Sequence, residues 1–301
     1  MNYGGKKQEY KLGILLRKYY GNHIGTFNEK ELVAKSTNSV RTIESLRLVL
    51  TGLFAPNLVP DRVASIEKNM ILAPYLTKKF KDFHKNVLKN SKEFQKKLSN
   101  YTTFIKFLEE KTGQPYFPDA VLKLLYKKVT LKLGFQLFLQ KSLNIPLPSW
   151  CTDEVYEESQ AMKSLFLKSL SLNMQLKKLN GGGLIRTVIE NMEQNTRRRK
   201  KIYLYGGHDI SLISFSASEN IIGAFEEPPL GSAYIVESYK DMKQKYYMRV
   251  LSSNGSSDEL VELIIKNCER YCLVDKYKML VKNIIPTDED LKFFNPGTTG
   301  S

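Results

Sequence analysis

The 301-residue chain contains only three histidines and three cysteines. It has no run of about 18 uncharged apolar residues, so the sequence predicts no membrane-spanning helix. The amino-terminal segment MNYGGKKQEYKLG lacks the apolar core of a secretory signal, which taken alone predicts a cytosolic protein. Internal repeats are absent as well, and the 42% hydrophobic and 26% charged residues are typical of a globular protein.

The cysteines and two glycosylation sequons point to a different compartment. Cys268 and Cys272 form a C-x3-C pair that a bent loop could close into a disulfide, and Cys151 is left over. Asn100 and Asn254 begin N-glycosylation sequons, although two such tripeptides are expected by chance in a chain of this length. The cysteines and sequons favour a compartment outside the cytosol, whereas the lack of a secretory signal favours the cytosol. The residues alone leave the compartment open.

The net charge is +15, which favours an anionic partner. The densest basic run, RRRKK at residues 197–201, is a pattern found in nucleic-acid-binding proteins. It lies beside a predicted buried strand, however, and has no interleaved aromatic residues that could stack on bases. We therefore expect no nucleic-acid partner, and a basic nucleic-acid- or partner-binding helical protein stays a third hypothesis that rests on charge alone.

The order of apolar patterns predicts an α/β body with a helical insertion. Helical spacing covers residues 5–20 and 40–54, with the short strand ELVAKS between them and Thr37 or Asn38 as the cap of the second helix. Strand patterns return only at KIYLY, SAYIVESY and KYYMRVL. We predict that residues 1–75 and 181–301 form the body, and that residues 76–180 form the inserted helical domain.

The segment KIYLYGGHDISLISF, residues 201–215, places His208 and Asp209 between a strand and a helix. The carboxyl edge of such a sheet is where open α/β folds bind ligands, and Gly206 and Gly207 would let the backbone approach one closely. In the alternative interpretation, His208 only packs or caps and Asp209 is the N-cap of the helix.

Arg41 falls in the first turn of the second predicted helix, where a cation opposes the helix dipole. It could pair with Glu44 one turn later, or offer its planar guanidinium to a phosphate beside the helix amides. Together with His208 and Asp209 at neighbouring strand ends, it favours a phosphoryl-transfer site. Two of these groups would hold the oxyanion, and the carboxyl would protonate the leaving oxygen.

Seven segments follow one another along the chain, and they are GKKQEYKLGILLRKYYGN, KSTNSVRTIESLRLVLTGLFAP, LPSW, GGGLI, YGGHD, EEPPLGSAYIVE and CERYCLVDKY. In this order they resemble motifs of the histidine acid phosphatases, the branch that contains lysosomal, prostatic and insect venom acid phosphatases. The resemblance covers nearly the whole chain. It implies an α/β fold of the phosphoglycerate-mutase type, with a mixed central sheet flanked by helices and an inserted all-helical cap.

The resemblance also implies an activity, the hydrolysis of small phosphomonoesters at acid pH in lysosomes or outside the cell. The family's enzymes work through a phosphohistidine, use no metal or cofactor, and are often dimers. Matched residue by residue, Arg41 and His208 are phosphate ligands and Asp209 donates a proton to the leaving alcohol. The family's C-x3-C loop corresponds to Cys268 and Cys272.

The family's attacking histidine has no counterpart in this sequence. Its Arg-His-Gly-x-Arg motif precedes the segment that begins here at Gly5, and no Arg-His dipeptide occurs anywhere in the chain. His23, expected in a loop, and His84, expected in the lysine-rich insertion, are predicted to be surface residues and not substitute nucleophiles. Without an activated nucleophile the covalent route is closed.

Smaller departures accompany this one. Asn38 stands where the family usually has Asp, and Ile210 stands where it has Thr. The insertion lacks a C-P-R cysteine near residue 77, so Cys151 is expected to have no partner.

A truncated gene model or a fragment would account for the missing histidine, together with the loss of an interior strand that leaves two unpaired sheet edges. We therefore expect an acid phosphatase that is inactive as given. The alternative is a phosphatase-like protein that binds phosphorylated ligands without turnover.

Overall fold

The computed structural model describes residues 3–55, 67–68, 70–113, 129–198 and 200–292, so Arg199 of the basic run lies outside the described residues. The chain divides into two compact units. The first combines Met1–Thr77 with Asn173–Ser301, and the second is Lys78–Leu172. The predicted mixed α/β fold class is confirmed.

The first unit begins with two helices that touch through their backbones. Helix α1 spans Tyr3–Ile24, strand β1 Leu32–Ser36 and helix α2 Val40–Phe54. A Cβ atom built on Gly13 of α1 would lie 2.1 Å from the carbonyl oxygen of Val49 in α2. Glycine is therefore required at this crossing. His23 lies in the last turn of α1, so its predicted loop position is wrong, although its side chain is exposed as expected.

Two parallel strand pairs build the first sheet. Strand β2 is Glu67–Lys68 and strand β3 is Ile202–Gly206, and the sheet order is β2-β1-β3. The register of β1 with β3 runs from Leu32 opposite Ile202 to Ser36 opposite Gly206. The two strands therefore end side by side.

All of the regular secondary structure described in the second unit is helical. It contains helices α3 (Lys78–Asn90), α4 (Lys92–Ser99), α5 (Thr102–Thr112), α6 (Val129–Ser142) and α7 (Asp153–Ser169). Cys151 is free and buried in this unit. That the unit acts as a cap over a site remains a prediction.

His84 on α3 is fully buried, with 0% of its surface exposed, so its predicted surface position is wrong. Its Nε2 lies 3.1 Å from the carbonyl oxygen of Ser169, and its ring lies 5.9 Å from the rings of both Phe80 and Phe166. Burial lowers its pKa to about 4, which keeps the imidazole neutral. His84 lies between Phe80 and Leu88 at a spacing of four, and this stripe is the buried face of α3.

The first unit resumes with the remaining elements. They are α8 (Met174–Asn180), α9 (Gly182–Arg198), α10 (Asp209–Glu219), β4 (Ile221–Ile222), β5 (Ala233–Lys240), β6 (Tyr246–Ser253), β7 (Val261–Ile265), β8 (Cys272–Leu273), α11 (Val274–Val281) and α12 (Asp288–Lys292). Helix α8 falls within the predicted insertion but belongs to this unit. The second sheet is antiparallel in the order β4-β7-β6-β5, with β8 on β6.

Apolar side chains from α9, α10, α11 and the second sheet form the largest core cluster of this unit. Next to it lies Glu219, whose carboxyl is buried and accepts a hydrogen bond from the hydroxyl of Tyr277. Burial raises the pKa of Glu219 to about 8, so this carboxyl is protonated at neutral pH.

Cys268 and Cys272 form a disulfide with their Cα atoms 5.4 Å apart, as predicted. Asn100 and Asn254 are both exposed, and their glycosylation remains a prediction. The described helices include none long and apolar enough to cross a membrane.

Candidate active site

The ends of β1 and β3 bring the predicted site residues together. The Thr37 amide donates a hydrogen bond to the Gly206 carbonyl at 3.1 Å, which continues the ladder one residue beyond β1. The chain then turns into α2 on one side and into α10 on the other. Arg41 and the pair His208-Asp209 therefore start their helices at the same sheet edge, as the strand order requires.

Gly206 is needed because α2 packs against it. A Cβ atom at this position would lie 2.9 Å from the Thr42 carbonyl oxygen and 3.1 Å from Ser36 Oγ. At Gly207 a Cβ atom would lie 3.0 Å from the Ser211 side chain. The sequence predicted that a ligand would approach the backbone of Gly206 and Gly207 closely. In the structure, other residues of the protein occupy that position instead.

The helix caps differ from the predicted ones. His208, and not Asp209, is the N-cap of α10, because its backbone is extended and the Leu212 amide already bonds to its carbonyl. The His208 amide donates to Ser211 Oγ at 3.1 Å, and the Ser211 hydroxyl donates to the Leu72 carbonyl at 2.5 Å. Asp209 is the first helical residue, and its Oδ1 accepts from the Ile210 amide at 2.9 Å.

The cap of α2 is likewise shifted, to Ser39 from the predicted Thr37 or Asn38. The Thr37 hydroxyl lies 2.7 Å from Thr42 Oγ1 and 3.1 Å from His208 Nε2. It therefore joins the imidazole to the first turn of α2.

Arg41 lies in the first turn of α2 with its side chain exposed, in the predicted position. The suggested pair with Glu44 is not formed, because Glu44 Oε1 lies 2.6 Å from Lys6 Nζ. Across the part of the chain that the structure describes, Arg41 makes no ion pair, so its guanidinium is available to an anion.

Burial and two charged groups act on the half-buried imidazole of His208. Burial lowers its pKa most, the Arg41 charge lowers it further, and the Asp209 carboxylate raises it. Arg41 and Asp209 are therefore both close enough to act on one ring. Such a mixed field, with one cation and one carboxylate around an ionisable ring, is typical of a site for a charged ligand.

Tyr75 completes the site and was not found in the sequence analysis. Its ring meets the His208 ring edge-on, with centroids 6.5 Å apart and planes at 81°. Burial and the charge of Asp209 raise the pKa of its hydroxyl, which stays protonated. Tyr75 lies in the short 3-10 turn Pro74–Leu76, and no motif in the sequence marks it.

The remaining histidines do not join this group. His23 is exposed at the end of α1, and His84 belongs to the other unit. No set of three or more histidine, cysteine or acidic side chains among the described residues is arranged to hold a metal ion.

Residues 1–253 match the family model described as the histidine phosphatase superfamily, branch 2. The chain belongs to this superfamily. The matched range contains Arg41, His208, Asp209 and Tyr75. The family named from the sequence motifs is therefore confirmed.

Acid phosphatases are similar to this histidine phosphatase chain over nearly its whole length. The venom acid phosphatase of Apis mellifera is 26% identical over 309 residues, which cover 95% of this chain and 76% of that protein. The prostatic acid phosphatase of Mus musculus is 27% identical over 304 residues, with 94% and 77% covered. The lysosomal acid phosphatase of Homo sapiens is 22% identical over 304 residues, which cover 94% of this chain and 70% of that protein.

Two solved phytases share the fold. The phytase of Citrobacter braakii superposes with a TM-score of 0.69 at 13% identity, covering 96% of this chain and 89% of that one. The Hafnia alvei phytase in complex with myo-inositol hexakis sulphate superposes with a TM-score of 0.66 at 14% identity, covering 95% of this chain and 87% of that one. At such identities the likeness shows the fold alone.

Proposed function

We propose that this histidine phosphatase chain provides the phosphate-holding and proton-donating groups of an acid phosphatase that acts on phosphomonoesters. The observation that supports this most is the convergence of Arg41, His208 and Asp209 at the ends of β1 and β3. The names of the relatives, which are acid phosphatases, support the reaction class.

Each of the three residues has a distinct role in this proposal. The Arg41 guanidinium holds two phosphoryl oxygens with the amides at the start of α2 behind it. His208 donates a further hydrogen bond to the phosphoryl group. In a complete site, where an attacking histidine bonds to phosphorus as the bond between phosphorus and the ester oxygen breaks, Asp209 in its acid form transfers its proton to that oxygen, and the product leaves as a neutral alcohol.

The described residues around this site include no second histidine that could attack phosphorus. His208 is the one histidine that the described structure places among them. We therefore propose that the polypeptide Met1–Ser301 binds phosphoryl compounds but does not hydrolyse them.

Hydrolysis of p-nitrophenyl phosphate by this polypeptide near pH 5 tests the proposal. We expect no turnover above the level of the Asp209→Ala variant, because that substitution removes a proton donor from a site that already lacks its nucleophile. Turnover that Asp209→Ala abolishes would contradict the missing-nucleophile account.

A phosphatase-like protein that only binds phosphorylated ligands is the second candidate, and the lack of a second histidine among the described residues of the site favours it. The codons in frame upstream of Met1 separate the two candidates. An encoded Arg-His-Gly-x-Arg motif there would support the enzyme, and its absence would support the binding protein.

We further propose a lysosomal or secreted location and a homodimer. The relatives named lysosomal and venom acid phosphatases support the location, as does the Cys268–Cys272 disulfide, since such bonds persist in oxidising compartments. Loss of mass on enzymatic deglycosylation of the secreted protein, prevented by Asn100→Gln with Asn254→Gln, would support passage through the secretory route. Light scattering would measure the subunit number.

A further inference from the structure

We propose that lysines on α3 and α4 form a docking surface for a linear sulfated polysaccharide. This lysine face consists of Lys81, Lys85, Lys89, Lys92 and Lys96. All five residues belong to the second unit, whereas the residues of the proposed phosphate-holding site belong to the first. The inference therefore goes beyond the proposed function and does not rest on it.

Positive charge is in large excess along these two helices. Residues 78–99 include eight lysines and two acidic residues, a net charge of +6 with the buried histidine neutral. Asp82 lies 2.6 Å from the Nζ atom of Lys78, and Glu93 lies 2.7 Å from that of Lys97. Both ion pairs thus involve lysines outside the lysine face, and a surplus of positive charge remains.

Helical spacing collects the charges of α3 in one stripe. The buried residues of this helix come at every fourth position, from Phe80 to Leu88. Lys81, Lys85 and Lys89 each follow one of them by one position, so they form a second stripe about 100° around the helix. Lys85 and Lys89 are exposed and Lys81 is half-exposed. The stripe is about 12 Å long, which suits an extended polymer better than a single small anion.

Helix α4 continues the lysine face. Its buried residues are Phe94 and Leu98, and the helical period places Lys92 and Lys96 on the opposite side, where both are exposed. The side-chain amide of Gln95 donates a 2.9 Å hydrogen bond to a carbonyl in the last turn of α3. The two helices are therefore held together where the lysines of α3 end and those of α4 begin.

The arrangement is unfavourable for the helices themselves. Side chains four residues apart on a helix are neighbours, so Lys81–Lys85, Lys85–Lys89 and Lys92–Lys96 are three like-charge pairs. The first turn of α3 also contains no acidic residue and begins with two lysines, which oppose the helix dipole. A surface that served solubility alone would mix both signs of charge. Local conflicts of this kind tend to mark a function, and a bound polyanion would relieve the repulsion.

The types of side chain distinguish among anionic partners. Residues 78–172 contain no arginine, the residue whose planar guanidinium suits nucleic-acid phosphates. Among residues 78–99, all of which the structure describes, no aromatic or large apolar side chain is exposed. The lysine face thus offers nothing that could stack on bases or enter a bilayer. Ammonium groups on flexible stems suit the sulfates along a sugar chain, which bind as point charges.

Calorimetric titration of the polypeptide Met1–Ser301 with heparin tests the inference. We expect saturable binding in about 0.15 M salt. The variant with Lys89→Gln, Lys92→Gln and Lys96→Gln should bind about tenfold more weakly, since three ion pairs are lost. Its slope of log affinity against log salt concentration should be smaller by about two to three, because each lysine that neutralises an anion releases counterions.

The matched control removes the same charge from exposed lysines of the first unit, with Lys243→Gln, Lys245→Gln and Lys266→Gln. It should bind heparin within about twofold of the unmodified chain, because exposed charges that do not contact the partner are largely screened. Equal losses in the two triple variants would show a response to net charge alone and would overturn the inference, as would the absence of heparin binding.

Thermal unfolding separates lost contacts from misfolding. Without heparin, the variant of the lysine face should unfold at the same temperature as the unmodified chain or higher, because the Lys92–Lys96 repulsion is removed. Heparin should raise the unfolding temperature of the unmodified chain more than that of the variant. A variant that unfolds at a lower temperature without heparin would contradict the repulsion that supports the inference.

Competing partners test the chemical class. Duplex DNA that binds more tightly than heparin, and loses affinity in the same variant, would overturn the assignment in favour of a nucleic acid. Tighter binding to phosphatidylserine vesicles than to heparin would do so in favour of a membrane. Arg41→Ala should bind heparin as the unmodified chain does. A loss in Arg41→Ala would place heparin at the phosphate-holding site, which would overturn this inference and leave the proposed function intact.

Discussion

At the scale of single residues, burial decides which groups titrate. His84 and Glu219 are both buried, one as a neutral base and the other as a neutral acid. Neither lies at the proposed site, yet each makes stability depend on pH. His84 belongs to the helical unit and Glu219 to the α/β unit.

His84 should destabilise its unit in acid. Its pKa is about 4 in the folded protein and near 6.5 when unfolded, so its contribution is fully present above pH 6.5 and is lost as the pH falls toward 4. At pH 5 the loss amounts to about 2 kcal/mol. His84→Asn, which keeps an N–H donor for Ser169, should reduce the difference between the unfolding free energies at pH 7 and pH 5 by that amount. Equal pH dependence in the variant would refute this assignment.

Glu219 should act in the opposite direction. Its folded pKa of about 8 exceeds the unfolded value of 4.5, so its stabilising effect is complete below pH 4.5 and declines as the pH rises to 8. Glu219→Gln keeps the acceptor for Tyr277 and cannot ionise. We expect denaturant titrations to show the variant more stable than the unmodified chain by about 3 kcal/mol at pH 7 and nearly unchanged at pH 4.5. A variant that is no more stable than the unmodified chain at pH 7 would contradict this.

At the scale of elements, much of the order along the chain could be predicted from the sequence. The apolar spacing placed α2 within its observed bounds, and the two strand-to-helix junctions meet as predicted. Helix caps were predicted less well, since the N-cap depends on the backbone dihedrals of one residue, as at Ser39 and His208. The contact of the Thr37 hydroxyl with His208 depends on the register of β1 with β3, which no local pattern specifies.

The crossing of α1 and α2 gives a prediction at this scale. Gly13→Ala places a Cβ atom 2.1 Å from a backbone oxygen of α2, so the helices must move apart, at a cost of about 2–3 kcal/mol. The control is Gly21→Ala on the same helix, where the nearest atoms belong to the flexible Arg17 side chain. Denaturant unfolding should show the control unchanged or more stable by up to about 1 kcal/mol. Equal effects of the two substitutions would refute the close crossing.

At the scale of the whole molecule, the sequence motifs predicted the family and the pairing of the cysteines, and both are confirmed. The environment of His84 was missed because its lysine neighbours suggested a solvated helix, whereas the Phe80–His84–Leu88 stripe faces inward. Tyr75 was missed since it reaches the site from a short turn without a motif.

Titration of the polypeptide Met1–Ser301 with inorganic phosphate at pH 5 tests the central claim most directly. We predict saturable binding at one site, weakened at least about tenfold by Arg41→Ala, because a charge-assisted pair of hydrogen bonds is lost. The matched control, Arg47→Ala, changes an exposed arginine of the same helix and should bind as the unmodified chain does. Absence of binding, or equal binding by Arg41→Ala and Arg47→Ala, would contradict a phosphate-holding site at the ends of β1 and β3.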